Sequence, residues 1–231
     1  SFIHEWMKDE HGQRGYRTCE VHPPPEVCPP DVFNLWRGFA VAEQYDPDHA
    51  FSERAIEGRD AILHHIRHGV CNDARGMCGD GVERELSEVL LDMLAHMFLY
   101  PGIKLGIMIC LIGLQGVGKT WLIDLLTEMM GDEVVFGTEM PERDVFGDNN
   151  INMAFAYLIR IAEVNKSNFK GIIGAMRTKI TDKWIRVRQL CCKANLIRSF
   201  HRFILDINFC DAIPDSDDER RFFNLQANPP F

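Results

Sequence analysis

The sequence predicts an α/β fold, with a central parallel sheet preceded by a helical segment. Three observations carry this. Ile107–Ile112 is a short continuous apolar run, followed by a glycine-rich turn and a helix-like stretch, Lys119–Met130. Two further apolar runs, Tyr157–Ala162 (YLIRIA) and Phe203–Ile207 (FILDI), have the length of strands buried on both faces. Between Phe51 and Tyr100, apolar residues recur at helical spacing. Strand, turn, helix and strand in alternation belong to an α/β core.

In chain order, residues 1–50 read as an irregular lead-in, because Pro23-Pro24-Pro25 and Pro29-Pro30 oppose both helix and central strand. The lead-in ends in an aromatic patch of Phe33, Leu35, Trp36 and Phe39, read as a docking patch on the domain rather than a base-stacking platform. Residues 51–100 read as a helical segment, a candidate oligomerisation collar. Leu86, Leu90, Met93 and Met97 share one helix face there, while Gly76, Gly79 and Gly81 split the segment into at least two helices. Pro101-Gly102 closes it, and residues 101–231 form the core. Gly131 stops the helix that begins at Lys119. Trp184–Arg188 alternates like one arm of a hairpin.

Composition narrows the function classes. The chain has 231 residues, 46% of them hydrophobic and 26% charged, so it is neither a disordered chain nor a disulfide scaffold. Its best apolar run, Leu105–Leu114, falls well short of the roughly 20 residues of a membrane span. With no leader pattern and eight irregularly spaced cysteines, the expectation is a soluble protein of a reduced intracellular compartment, without a membrane partner. The net charge of −9 argues against generic nucleic-acid binding, but its distribution does not. From Lys166 to Arg202 ten cations (Lys166, Lys170, Arg177, Lys179, Lys183, Arg186, Arg188, Lys193, Arg198 and Arg202) face one acid, Asp182, so this strip is +9 and the remainder carries −18. A basic strip on an acidic body suits a phosphate backbone.

The most specific signal is Gly113-Leu114-Gln115-Gly116-Val117-Gly118-Lys119-Thr120, a complete G-x-x-x-x-G-K-[ST] pattern between a buried-strand run and a helix. Gly113, Gly116 and Gly118 allow a tight turn whose amides, with that of Val117, face phosphate oxygens. Lys119 offers a compact charge to the β and γ phosphates. The Thr120 hydroxyl suits Mg²⁺, and the helix aims its positive end at the same anion. ATP and Mg²⁺ are therefore the expected ligands. Glu163, directly after YLIRIA, stands where a strand end faces the ligand crevice and where a carboxylate orients water. Asn208 ends the next run, FILDIN, and suits a γ-phosphate or the attacking water. Arg220 and Arg221 follow an acidic turn, Asp215–Glu219, and suit an arginine finger or a solvated charge pair.

The ordered set GLQGVGKT, YLIRIAEVNK, a basic segment with Ile180-Thr181, RFILDIN and DERRFF resembles the superfamily 3 helicases, in the branch of phage and large-DNA-virus primase–helicases. FNLWRGFA and the His65–Leu94 stretch resemble the same branch, so the likeness runs over residues 30–228. The resemblance implies an AAA+ phosphate-loop NTPase core behind a helical, ring-forming segment, a homo-hexamer, single-stranded DNA as partner, a primase in the same parent chain and a virus- or phage-infected host cell. It also implies roles: Lys119 and Thr120 for nucleotide and Mg²⁺, Glu163 as catalytic carboxylate, Asn208 as polar sensor, and Arg220 or Arg221 as the finger across a subunit boundary. Lys183, Arg186, Arg188 and Lys193 fall in the segment that would grip DNA, with Arg188 and Lys193 both candidates for the hairpin cation.

Two departures stand out. Ala162 occupies the place where relatives carry an acid before the catalytic glutamate, and Gln189-Leu190-Cys191-Cys192 differs from their polar hairpin tip. Two other readings of the chain are a phosphate-loop small-molecule kinase and a nucleotide-binding, DNA-binding or assembly module whose ATPase has decayed. His64, His65, His68, Cys71 and Cys78 are spaced too loosely for a zinc site and read as helix packing.

Overall fold

A computed structural model describes residues 8, 15–44, 46, 48, 50–162, 164, 166–208 and 220–227. The continuous apolar runs form buried strands. β5 (Met108–Ile112) and β10 (Arg202–Ile207) are buried at every position, and β7 (Leu158–Ala162) at every position but Arg160. With β6 (Val135–Thr138) and β11 (Phe222–Gln226) they make a five-stranded sheet in the order β11-β5-β10-β7-β6, in which every pair is parallel.

Strand alternation sends side chains to two cores. Ile109, Leu111, Leu158, Ile204 and Leu225 point to one face, with Leu122, Ile123, Leu126 and Met130 of α4 (Lys119–Met130) and Leu90, Met93, Leu94 and Met97 of α3 (Leu86–Leu99). Met108, Cys110, Ile159, Ile161, Phe203 and Leu205 point to the other, covered by Ile172, Met176 and Ile180 of α6 (Lys166–Thr181). The helix face expected from Leu90, Met93 and Met97 is the buried face of α3.

Before the sheet, the lead-in is less irregular than its prolines suggest. β1 (Thr18–Glu20) and β2 (Val32–Asn34) pair in parallel, and α1 (Ala40–Gln44) follows. Phe39 is 6% exposed, with Trp36, Phe98 and Tyr157 around it at ring separations of 5.0–5.1 Å, so the Trp36–Phe39 pair is packing and no open base-stacking surface.

α2 (Glu53–His64) is capped by Ser52, whose Oγ accepts from the Ala55 amide, and it runs into one π turn at His65–Val70. The glycines after it do more than break a helix. β3 (Arg75–Met77) and β4 (Glu83–Glu85) form a hairpin turned at Asp80-Gly81, where Gly81 has φ +79° and the Asp80 carboxylate accepts from the Val82 amide.

β8 (Trp184–Val187) and β9 (Asn195–Arg198) form an antiparallel hairpin beside the second core. Ile185 and Val187 point inward while Trp184, Arg186 and Arg188 point out. Asn150 clamps its turn end: its side-chain amide donates to the Arg186 carbonyl, and its Oδ1 accepts from the Arg188 amide. α5 (Pro141–Asp144) completes the α-helices among the described residues.

Two cations, Arg202 buried and Lys104 partly so, tie the two halves of the chain together. Arg202, counted above in the basic strip, is 4% exposed. Its guanidinium donates to the carbonyls of Phe200 and Ile103 and lies 5.3 Å from the Tyr157 ring. The Tyr157 hydroxyl in turn donates to the Met97 carbonyl. Lys104 donates to the carbonyls of Lys179 and Asp182 and to the Ser199 hydroxyl. Lys179 is also drawn inward, its amine 5.9 Å from the Phe146 ring, and burial lowers its pKa. Among the residues of the strip whose burial is described, the exposed cations are those of the hairpin: Lys183, Arg186, Arg188, Lys193 and Arg198.

Among the described residues no helix is long and apolar enough to cross a membrane, and Cys19, Cys28, Cys71, Cys78, Cys110, Cys191 and Cys192 are unpaired. No group of three or more metal-ligating side chains assembles among them either.

Candidate nucleotide site

The glycine-rich sequence forms the bend between β5 and α4, at the C-terminal edge of the sheet. The chain leaves β5 at Gly113, whose amide donates to the Ile207 carbonyl. It enters α4 through Gly118, which is left-handed at φ +88° and offers no side chain to cap the helix. The first-turn amides of a twelve-residue helix therefore open into a cleft, the arrangement that attracts an anion. Gly118 is required twice over. Its backbone suits glycine, and a Cβ there would lie 2.4 Å from Cε1 of His65. The His65 ring also packs edge-on against Trp121 at 4.7 Å, so the helical segment reaches the loop directly.

The cleft has a volume of about 730 Å³. Gln115, Gly116, Gly118, Lys119 and Thr120 form one wall, the ends of β7 and β10 the floor, and residues 137–144 the far side. Gly113 and Val117 stand behind this wall. A Cβ on Gly113 would meet Val117 Cγ2 at 3.2 Å, and the Val117 side chain is 3% exposed.

Lys119 is the pivot. It is 5% exposed, and its ammonium donates to the carbonyls of Gly113 and Leu114 and to Asn208 Oδ1 at 3.1 Å. Asn208, expected to line the same crevice as the loop lysine, does line it. Glu163 lies outside the described residues, as does the acidic turn Asp215–Glu219. Arg220 and Arg221 precede β11, and the Arg221 carbonyl accepts from Met108 at the start of β5. Both strands run toward the cleft for five residues, about 15 Å. These arginines therefore sit at the opposite end of the sheet from this chain's own loop.

Sequence reasoning missed two charged residues in the floor. Asp206 on β10 and Arg160 on β7 line the cleft, and Arg160 Nη2 donates to Asp206 Oδ2 at 3.0 Å. Asp206 Oδ1 lies 3.6 Å from Lys119 Nζ. Arg160 Nε is buried without an acceptor among the described residues. On the far side, Thr138 Oγ1 donates to Asp144 Oδ2 at 2.7 Å and accepts from the Met140 amide. Hydrogen bonding from Arg143 lowers the Asp144 pKa. The only sequence hint of these residues was charge inside otherwise apolar runs.

The lining fits a magnesium-bound triphosphate: helix-terminal amides, Lys119 and Arg160 for phosphate, and the hard oxygens of Thr120 and Asp206 for the ion.

Fold and site define an α/β domain with a phosphate-loop motif at the C-terminal edge of a parallel sheet. The chain belongs to the virulence-associated protein E-like domain family, whose model matches residues 68–229. Its fold is similar to the apo structure of the NrS-1 C-terminal region, with a TM-score of 0.68 and 18% identity over 92% of this chain and 48% of that one. An A-form apo structure of the same region gives 0.68 and 17% over 96% and 51%, and another gives 0.65 and 17% over 98% and 51%. The likeness is one of fold, and the chain spans about half the length of these structures. No curated protein matches it.

Proposed function

We propose that the chain is an ATP-hydrolysing motor domain of the AAA+ type, a superfamily 3 replication helicase that moves along single-stranded DNA as a ring, with a hexamer as the expected assembly. The observation that carries this reading is the contact of Lys119 Nζ with Asn208 Oδ1 at the mouth of an uncapped helix. It joins the loop cation to a strand-borne amide in one cleft, as phosphoryl transfer to water requires.

The residues divide the chemistry among them. Amides of the 116–120 turn receive the phosphates. Lys119 exchanges one of its present acceptors for a phosphate oxygen, and Asn208, released by that exchange, is free to bind the γ-phosphate or the water. Glu163 is assigned the orientation of the water by its place after β7. Thr120 would hold Mg²⁺, which supplies charge neutralisation across the β and γ phosphates. Arg220 and Arg221 lie too far from this cleft to serve it. They are assigned to the site of a neighbouring copy, so that hydrolysis depends on assembly. α2, which buries none of its residues, offers a surface for that assembly. The hairpin presents Arg186 and Arg188 outward beside Trp184, a suitable grip on a phosphate backbone.

Ala162 supports a second reading, a module that binds nucleotide and DNA without turnover. Steady-state ATP hydrolysis with and without single-stranded DNA tests both, on wild type, Lys119→Ala, Glu163→Gln and Arg220→Ala. DNA-stimulated turnover in the wild type, lost in each variant and partly restored by mixing Lys119→Ala with Arg220→Ala, is the result expected of a shared-site motor. Nucleotide binding without turnover under all conditions favours the second reading. DNA-independent turnover by a monomer points to a small-molecule kinase instead.

A further inference from the structure

Ala162 removes a carboxylate from the end of β7, and the ladder supplies one next door. In the parallel pairing of β10 with β7, Asp206 stands in register with Ala162. Paired residues of adjacent strands project from the same face, about 4.8 Å apart. That face is the one α4 covers, since Ile204 and Leu158, in phase with Asp206 and Ala162, belong to the α4 core. Asp206 therefore presents its carboxylate from the next strand, on the side where an acid at position 162 would project. Lys119, Thr120 and Asn208 line the same cleft.

The surroundings of Asp206 hold it as a working group rather than a surface charge. It is 9% exposed. Arg160 Nη2 fixes Oδ2 at 3.0 Å, and Oδ1 is left toward Lys119 Nζ at 3.6 Å, too long for a hydrogen bond. One oxygen is anchored and the other is open to the cleft. The arginine that anchors it comes from β7 itself, two residues before Ala162, so the strand lacking the acid carries the group that orients its replacement.

We propose that Asp206 is the carboxylate that serves the Mg²⁺–nucleotide in this site, taking over on β10 the place that Ala162 leaves on β7, with Arg160 as its positioning residue. The inference rests on the nucleotide-site reading above. It removes the main argument for a decayed ATPase.

The test reads binding rather than turnover. Fluorescence of N-methylanthraniloyl-ADP is titrated against the full chain over micromolar to millimolar Mg²⁺ and in EDTA, with thermal melting as the check on folding. Wild type is expected to bind more tightly as Mg²⁺ rises. Asp206→Asn, whose amide oxygen still accepts from Arg160, is expected to need about 10–100-fold more Mg²⁺ for half-maximal binding, the range found when groups supporting a metal are lost. Its binding in EDTA should not weaken. The double variant Ala162→Asp/Asp206→Asn returns the acid to β7 and should recover most of the Mg²⁺ dependence, and it decides the matter alone if the single variant melts early. A Mg²⁺ midpoint within twofold of wild type in Asp206→Asn, or a folded double variant that recovers nothing, overturns the proposal while leaving the nucleotide site standing. A wild type that binds no nucleotide at any Mg²⁺ level, indistinguishable from Lys119→Ala, overturns both.

Discussion

The cleft and the β8–β9 hairpin are both rich in charge, and they use it in opposite ways. In the cleft Lys119, Arg160 and Asp206 are enclosed and hold one another within 3.0–3.6 Å. On the hairpin, Lys183, Arg186 and Lys193 stand in solvent. Enclosed charges are fixed in position, so removing one disturbs its partners. Solvated charges act nearly independently and are screened by salt. The cleft should therefore respond to substitution steeply, and the hairpin in small increments.

The strongest challenge to that contrast is Lys119→Ala. It removes the cation that spans two loop carbonyls and Asn208, and ATP turnover should fall by about 10²–10³-fold, as when a preorganised charge is lost at a reacting phosphate. A loss below tenfold would place Lys119 among the merely additive charges.

A second enclosed group gives a pH signature. His201 is 4% exposed, and burial pulls its pKa down to about 4. Its Nε2 donates to the Met153 carbonyl while its Nδ1 accepts from Ser199, whose oxygen already accepts from Lys104. A proton on Nδ1 would break that order. Between about pH 6.5 and 4 the unfolded chain binds the proton and the folded one does not. Stability therefore falls as pH drops through that window, by on the order of 3 kcal/mol. Chemical denaturation from pH 7 to 4 measures it, and His201→Gln should flatten the curve.

Gly118→Ala comes next. The added methyl meets His65 and a left-handed backbone, a cost of about 1–3 kcal/mol. Differential scanning calorimetry should show the melting midpoint lowered by several degrees. The smallest effect is expected of Arg186→Ala. Single-stranded DNA affinity should drop only a few-fold, and the slope of log K against log salt should flatten by about 0.7, one phosphate contact. Fluorescence anisotropy at several salt concentrations measures both, and a loss of a hundredfold would erase the distinction between the two regions.

The loop was legible because its residues are consecutive and each acts locally, the glycines making the bend, Lys119 supplying charge and Thr120 an oxygen. Asn208 was legible as the polar end of an apolar strand. Asp206 and Arg160 were not, because they become neighbours only through strand register, which sequence does not display. Arg202 was miscounted for the same kind of reason: a cation in a basic run looks exposed until the strand beneath Tyr157 is seen. The β3–β4 hairpin was hidden by reading Gly81 as a break when Asp80-Gly81 is a turn.

The sewing of Arg202 and Lys104 to carbonyls distant in sequence bears on where this domain can be cut. A shortened protein starting at the first sheet strand would keep every residue of the nucleotide loop. It would lose the Ile103 carbonyl that seats the Arg202 guanidinium, and with Lys104 the plug that closes the end of α6. Stranding a buried cation costs about 3–5 kcal/mol, a large part of what keeps a domain folded. The half that carries the nucleotide loop is thus tied to the residues just ahead of its sheet, Ile103 and Lys104.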